Sequence, residues 1–338
     1  MAAILTLTAP GRRGFYRPLL IAATLLAFCV VGLGAYVRLS DAGLGCPDWP
    51  GCYGHLVGVP DTHSEQAAAA AAFPGKPVET GKAWKEMIHR YAAGTLGLLI
   101  LGIALSAWRA WRRERGRAPW LETGLVALVV LQALLGMWTV TLLLKPVVVT
   151  AHLIGGMATL ALLVLCLVRD TKVGADGTAR RPERAVQALG RLALAVVIGQ
   201  IALGSWVSSN YAALACPDFP TCQGRWWPEA DYGNAFHLGR ELGQTATGGL
   251  FSFAALTAIH WSHRLGALLV LVVVGAYTAV LIRRRRAIGV LLAALLVGQI
   301  GLGISNVLFS LPLGLAVAHN LGAALLLATL AAANFRRY

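Results

Sequence analysis

Eight long runs of apolar residues dominate the sequence, and they restrict the folds that this chain can adopt. Each run has the roughly 20 residues that an α-helix needs to cross the hydrocarbon core of a bilayer. Charged residues make up only 13% of the chain, whereas soluble domains have roughly 25%. We therefore predict an all-α integral membrane protein without a large soluble domain. Its eight transmembrane helices are predicted at residues 19–37, 88–107, 125–144, 147–168, 189–207, 259–282, 288–309 and 313–333.

Basic residues are distributed unevenly between the two sets of loops. Most lie at the two termini and after the second, fourth and sixth runs, so they flank the runs on one side. Because Lys and Arg mark cytoplasmic loops, we predict a multi-pass protein of the inner (plasma) membrane with both termini cytoplasmic. Lipid headgroups account for these short basic loops, so the net charge of +14 does not indicate nucleic-acid binding. The first run is long and has a counterpart in mid-chain, which favours a retained helix over a signal peptide.

An internal repeat divides the chain into two halves. Two segments return 170 positions later with similar residues, namely 33–37 as 203–207 and 46–52 as 216–222. Four helices separate the equivalent segments, so both halves have the same orientation in the membrane. We predict two parallel-repeated four-helix bundles, an N-terminal half at 1–180 and a C-terminal half at 181–338.

Four histidines fall inside the apolar runs, where an ionisable side chain is costly and suggests function. Each half has two, all near the start of an even-numbered run and hence in the outer half of the membrane: His89, His152, His263 and His319. Two imidazoles from facing helices can bind one haem iron axially, which predicts a haem site in each half near the outer face. Two simpler interpretations stay open. The histidines could cap or hydrogen-bond helices, or they could bind a metal without haem, which would usually need further ligands.

Four of the six cysteines form two pairs of identical spacing in outer loops, Cys46 with Cys52 and Cys216 with Cys222. Oxidising conditions outside the cell favour disulfides, and the intervening prolines and aspartates favour a turn that brings the sulfurs together. We predict one disulfide in each loop. Zinc is the less favoured alternative because each loop has only two thiols, and electron exchange with a thiol partner stays open.

The combination of these features resembles the haem A synthase family, the membrane enzymes that oxidise haem O to haem A for terminal oxidases. The resemblance rests on Gly-Leu-Gly-Cys-Pro-Asp-Trp-Pro-Gly-Cys-Tyr-Gly at 43–54 and on Glu-Met-Ile-His-Arg at 86–90. It also includes the histidines of the fourth, sixth and eighth runs and spans nearly the whole chain.

The resemblance implies a division of labour between the halves. His89 and His152 would hold the substrate haem O, and His263 and His319 would bind the iron of a permanent haem B. The family converts one ring methyl of haem O to a formyl group by successive hydroxylations, with loss of water from the doubly hydroxylated carbon. Haem O synthase and an electron acceptor are the partners that this activity suggests.

Glu86 distinguishes the two halves. It stands three residues before His89 and on the same helix face, whereas His260 stands three residues before His263. A carboxylate near a helix N-terminus is favourable by itself, which is the simpler interpretation. With the resemblance, we expect Glu86 to be the catalytic base, in a poorly hydrated site.

Three arginines near the outer ends of helices are candidates for binding haem propionates: Arg38, Arg90 and Arg264. A guanidinium group matches a carboxylate with two parallel hydrogen bonds. Arginines that only mark the membrane edge are the alternative.

Two other functions explain part of the sequence. A non-enzymatic, two-haem b-type electron carrier would need the four histidines but gives no reason for Glu86 in only one half. A transporter built from repeats accounts for neither the histidines nor the cysteine loops. The sequence therefore favours the haem-dependent oxidoreductase, surrounded by membrane lipid.

Overall fold

Ten helices and their connecting loops make up the computed structural model, which describes residues 15–114, 118–170 and 183–335. In chain order they are α1 (Tyr16–Leu39), α2 (His63–Ala72), α3 (Thr80–Glu114), α4 (Trp120–Thr141), α5 (Pro146–Asp170), α6 (Arg184–Ser209), α7 (Tyr232–Ala235), α8 (Phe253–Arg284), α9 (Arg286–Leu308) and α10 (Leu313–Phe335). All except α2 and α7 are long and apolar enough to cross a membrane. The described residues contain no strand beyond isolated bridges, so the predicted all-α membrane fold with eight spans is confirmed.

The four helices that run toward the disulfide loops all end in the same type of turn. In each turn a backbone N–H donates to the carbonyl five residues earlier: Ala42 to Val37, Leu144 to Thr139, Ala212 to Val207 and Leu311 to Asn306. In each turn the residue before the donor has a positive φ, and in two of them the donor has one as well. This is the left-handed conformation that commonly ends a helix. The predicted span 125–144 runs past the end of the helix for this reason: α4 ends at Thr141, because Leu143 and Leu144 have φ values of 47° and 59° and form the turn.

Contacts between helices fit the predicted division into two four-helix halves. In the first half α1 packs against α3 and α5, and α4 packs against the same two helices. In the second half α6 and α9 each pack against α8 and α10, and the halves meet through α1, α5, α6 and α10. The Arg38 Nη2 donates to the Ser208 carbonyl at 2.7 Å, so positions related by the repeat meet where α1 and α6 end. The predicted boundary at residue 180 and both chain termini lie outside the described residues.

The largest hydrophobic core cluster lies on one side of the four histidines. We call the end of the bundle with the disulfide loops the loop side and the opposite end the terminal side. On α3 the core residues run from Leu96 to Ala107, after His89, and on α5 from Met157 to Cys166, after His152. The second half repeats this arrangement, with Val270 to Leu281 on α8 and Ala324 to Ala333 on α10. The histidines therefore stand above a tightly packed base that holds their helices in place.

Smaller clusters cover the histidine layer on the loop side. In the first half α2 begins with a capping box between Thr62 and Glu65, and Ala69 of α2 joins a buried cluster with Met87 of α3 and the first disulfide. In the second half α7 and the end of α6 pack on the start of α8. The histidine-bearing segments are thus enclosed from both sides.

Candidate functional site

The four histidines lie at equivalent positions near the loop side. His89 is on α3, His152 on α5, His263 on α8 and His319 on α10, each within about the first three turns of a helix with 3.6 residues per turn. All four are half-buried. His89 interacts electrostatically with His152, and His263 with His319. The fold therefore brings together the same two pairs that the repeat predicted.

Each imidazole ring lies against a glycine of the neighbouring helix. An added Cβ at Gly34, Gly136, Gly204 or Gly303 would lie 3.0, 3.4, 3.0 and 3.1 Å from the Cε1 atom of His89, His152, His263 and His319, respectively. At these distances the ring or the helix would have to shift. The glycines leave room for the ring edges.

The histidine rings fit haem ligation better than a structural role. Within the described residues the Nδ1 atoms of His89, His152 and His319 are buried without a hydrogen-bond partner, and none of the four rings caps a helix. A buried imidazole nitrogen without a partner is unfavourable unless a ligand uses the ring. The same residues hold no group of three or more His, Cys, Asp or Glu side chains placed for a metal ion. These imidazole donors therefore suit paired axial ligation of an iron porphyrin.

Glu86 is buried one turn of α3 from His89, with 5% of its surface exposed. Its Oε1 accepts a hydrogen bond from Arg90 Nη2, and its Oε2 accepts one from the backbone N–H of Cys46 at 3.0 Å. Both carboxylate oxygens are thus fixed, one by a charge on the same helix and the other by the disulfide loop. A buried carboxylate held this firmly has a defined direction and little access to water.

Arg90 and Arg264 hold the two disulfide loops in the same manner. Arg90 Nη1 donates to the carbonyls of Asp48, Pro50 and Gly51. Arg264 donates to the carbonyls of Cys216, Asp218 and Thr221. These guanidinium groups are already engaged with protein oxygens, so the propionate role predicted for them stays a prediction.

Arg38 occupies a different position, between the two halves. Besides its bond to Ser208, its guanidinium lies 4.0 Å from the ring centre of Tyr211, and Tyr211 donates to Asp41 at 3.1 Å. Its Nε is buried without a partner among the described residues. The propionate role of Arg38 also stays a prediction.

His260 takes the place of Glu86 in the second half. The backbone N–H of Cys216 lies 3.3 Å from His260 Nδ1, and Arg264 Nε lies 3.2 Å from His260 Nε2. A neutral imidazole has only one accepting nitrogen, so it can satisfy one of these donors at a time. The anchoring of the loop is the same in both halves, but only the first half has a carboxylate there.

Both predicted disulfides are present, Cys46–Cys52 and Cys216–Cys222, which removes the thiols that zinc would need. Within the second loop Asp218 accepts from the Thr221 hydroxyl and from the backbone N–H of Gly224. These bonds hold the pKa of Asp218 below its usual value, and the bond from Thr221 has the largest effect. The contribution of these bonds to the turn is therefore present at neutral pH and is lost as the pH falls through the lowered pKa of Asp218.

Arg240 is a buried residue that the sequence did not single out. Only 3% of it is exposed, its guanidinium lies 3.7 Å from the ring centre of Phe251, and it donates to the Asn210 side chain. Burial lowers the pKa of Arg240. Next to it, Lys145 forms a 2.7 Å ion pair with Glu241, which joins the loop sides of the two halves. No local pattern marks such an arginine, because its partners come from distant segments.

The fold and the site define a class: a polytopic α-helical membrane protein with two pairs of intramembrane histidines beneath two disulfide-bonded loops. The model of the COX15-CtaA family, described as cytochrome oxidase assembly protein, matches residues 17–331. The chain belongs to this family.

Individual relatives agree with the family match. The heme A synthase of Shewanella oneidensis is 45% identical over 313 residues, which cover 90% of this chain and 92% of that protein. The heme A synthase of Caulobacter vibrioides is 29% identical, with 92% of each chain covered. That of Mesorhizobium japonicum is also 29% identical and covers 96% of this chain and 90% of its own length.

Proposed function

We propose that this protein is a haem A synthase, which oxidises one ring methyl of haem O to the formyl group of haem A. The relative from Shewanella oneidensis, similar over nearly its whole length, carries this name. The observation that carries the proposal to this chain is the buried carboxylate of Glu86 beside His89, in one half only. An electron carrier would need no such asymmetry, and the relatives give that alternative no support.

The N-terminal half is the proposed substrate site. His89 and His152 hold the haem O iron, and Gly34 and Gly136 leave space for the two rings. The unpartnered Nδ1 atoms of both histidines support this role. Two different helices would thus hold the substrate, and Glu86 lies one turn from His89 on one of them.

The C-terminal half is the proposed seat of a resident haem B, held by His263 and His319. Gly204 and Gly303 supply the same space for the rings there. Haem B supplies one-electron redox chemistry when it is bound. His260 in place of a carboxylate supports a role of this half in electron transfer rather than in methyl oxidation.

Glu86 is the proposed base. Conversion of a methyl to a formyl group with water as the oxygen source releases four electrons and four protons, so a proton acceptor is required near the reacting carbon. The ionised Glu86 takes a proton from the methyl group or from the attacking water, while Arg90 and the Cys46 N–H keep the carboxylate aimed. General-base catalysis of this type contributes roughly 10²–10⁴-fold to a rate.

The activity itself can be tested by production of haem A in cells. We expect haem A in extracts of cells that express this protein together with a haem O synthase, identified by chromatography of the extracted haems. Cells with the haem O synthase alone should contain haem O and no haem A. Haem O as the sole product in both cultures would refute the proposal.

The proposed orientation places the loop side outside the cytoplasm of the inner membrane. Support comes from Arg109, Arg112 and Arg113 at the end of α3 and from 283–286 between α8 and α9, all on the terminal side, as the positive-inside rule expects. Haem O synthase, an electron acceptor and a thiol partner for the disulfide loops are proposed partners.

Labelling of single cysteines in spheroplasts tests the orientation. In a Cys29→Ser background we expect a membrane-impermeant maleimide to label Ala68→Cys in α2, because Ala68 is exposed on the loop side. Ala287→Cys, exposed at the start of α9, should be labelled only after permeabilisation. The reverse pattern would show that the termini lie outside the cytoplasm.

A further inference from the structure

A second residue type recurs with the histidines. Each histidine faces a glycine, and in three of the four cases a glutamine stands four residues before that glycine. These glutamines are Gln132 on α4, Gln200 on α6 and Gln299 on α9. Four residues make about one helical turn, so each glutamine lies one turn toward the terminal side on the same face as its glycine. In each case it reaches the helix that carries the histidine.

Two of the three glutamines form hydrogen bonds to their histidines. Gln200 Nε2 donates to the His263 carbonyl at 2.9 Å and lies 3.0 Å from His263 Nδ1. Gln299 Nε2 donates to the His319 carbonyl at 3.0 Å and lies 3.4 Å from His319 Nε2, whereas Gln200 lies next to Nδ1 of its histidine. The amide thus touches both the backbone and the ring of one histidine.

A second glycine makes room for each amide. It stands three residues after the histidine, at Gly155, Gly266 and Gly322, and an added Cβ there would overlap the side chain of Gln132, Gln200 or Gln299. Gln132 presents its nitrogen rather than its oxygen to Gly155, and this nitrogen is buried without a partner among the described residues. A half-turn of the amide, which exchanges the two atoms, gives it the arrangement of the other two glutamines.

His89 is the exception. One turn before Gly34 stands Val30 instead of a glutamine, and three residues after His89 stands Ala92 instead of a glycine. Both members of the pair are therefore absent together. Ala92 already has the Cβ that a glutamine at position 30 would overlap, so the two differences are sterically consistent with each other. As a result, α1 places no glutamine beside the His89 ring.

We propose that Gln132, Gln200 and Gln299 are positioning residues for the haem-ligating histidines, and that His89 is the exchangeable ligand because it lacks one. This inference rests on the proposed function and deepens it. The amide nitrogen fixes the backbone at the histidine through its bond to the carbonyl, and it also lies against the ring. An outer-shell contact of this kind restricts the orientation of the ligand.

The distribution of the glutamines matches what each half has to do. A resident haem must stay, and both of its histidines, His263 and His319, have a glutamine. A substrate haem must enter and leave as product, and one of its two ligands, His89, packs against Gly34 without a glutamine one turn away. His89 is also on the helix of Glu86, so the reacting side of the site can open while His152 keeps its hold.

Transfer of haem from the loaded full-length protein to excess apomyoglobin tests the inference. We expect a fast phase from the N-terminal half and a slow phase from the C-terminal half. His89→Ala should abolish the fast phase and His319→Ala should alter the slow one. If neither variant changes either phase, the haem seats of the proposed function are wrong, and this inference fails with them.

With the phases assigned, Val30→Gln combined with Ala92→Gly should slow the fast phase about tenfold, the lower end of the roughly 10–100-fold effect of outer-shell partners. Val30→Leu with Ala92→Gly is the matched control without an amide and should leave the phase unchanged. Gln299→Leu should speed the slow phase by a similar factor and shift the midpoint potential of the haem. Unchanged rates in both Val30→Gln/Ala92→Gly and Gln299→Leu, with correctly assigned phases, would overturn the inference.

Discussion

Haem A formation is expected to fall at least about a hundredfold when Glu86 is replaced by glutamine, within the roughly 10²–10⁴-fold range of general acid–base catalysis. The amide has nearly the shape of the carboxylate but cannot take a proton. Its oxygen can still accept from the Cys46 N–H, and Arg90 still holds three carbonyls of the loop. The loop should therefore keep its place, and the haem content of the purified variant should match that of the wild type.

The second half offers a matched control for this experiment. His260→Gln replaces the side chain at the equivalent position, beneath the N–H of Cys216, the counterpart of Cys46, and beside the counterpart arginine. We expect this variant to retain haem A formation within a few-fold of the wild type. Equal rates for Glu86→Gln and wild type, measured with equal haem content, would eliminate Glu86 as the base.

The second large effect is expected from the double variant His263→Ala/His319→Ala. Both axial ligands of the proposed haem B would be lost, so the loss of affinity should exceed the roughly 10–100-fold cost of removing an outer-shell partner. We expect the purified protein to lack the low-spin absorption of that haem. Haem A formation should stop as well, because electrons released in the N-terminal half would have no relay.

Surface histidines provide the comparison. His55 and His63 lie outside the spans, on the loop side, and His55→Ala/His63→Ala should leave both the spectrum and the activity unchanged. If the double variant of His263 and His319 retained the complete low-spin spectrum, the assignment of the second haem seat would be wrong.

Much of the fold could be predicted because membrane spans are encoded by local composition. Apolar length and the positions of basic residues are sufficient to place eight helices. The end of α4 could not be predicted in this way. Leu143 and Leu144 are as apolar as the span before them, but they form the turn into α5, and only the backbone conformation reveals it.

The site was predictable to the extent that the repeat exposes it. Equivalent histidines and cysteines in two halves of one sequence point to paired sites, and the structure places them together. The partners of Glu86 were not predictable, since its link to Cys46 joins residues from different segments. The burial of Arg240 against Phe251 was missed for the same reason.

The sequence by itself determined which helices cross the membrane, which histidines share a depth, and that the acidic residue has no repeat. These are one-dimensional properties, set by hydropathy and by spacing along a helix. Only the tertiary structure decided that each imidazole lies on a glycine of the next helix, and that glutamines bind the backbone of His263 and His319 while a valine stands at the matching position for His89. Such contacts depend on how neighbouring helices are rotated against each other. That rotation is fixed by the packing of the whole bundle rather than by any single segment.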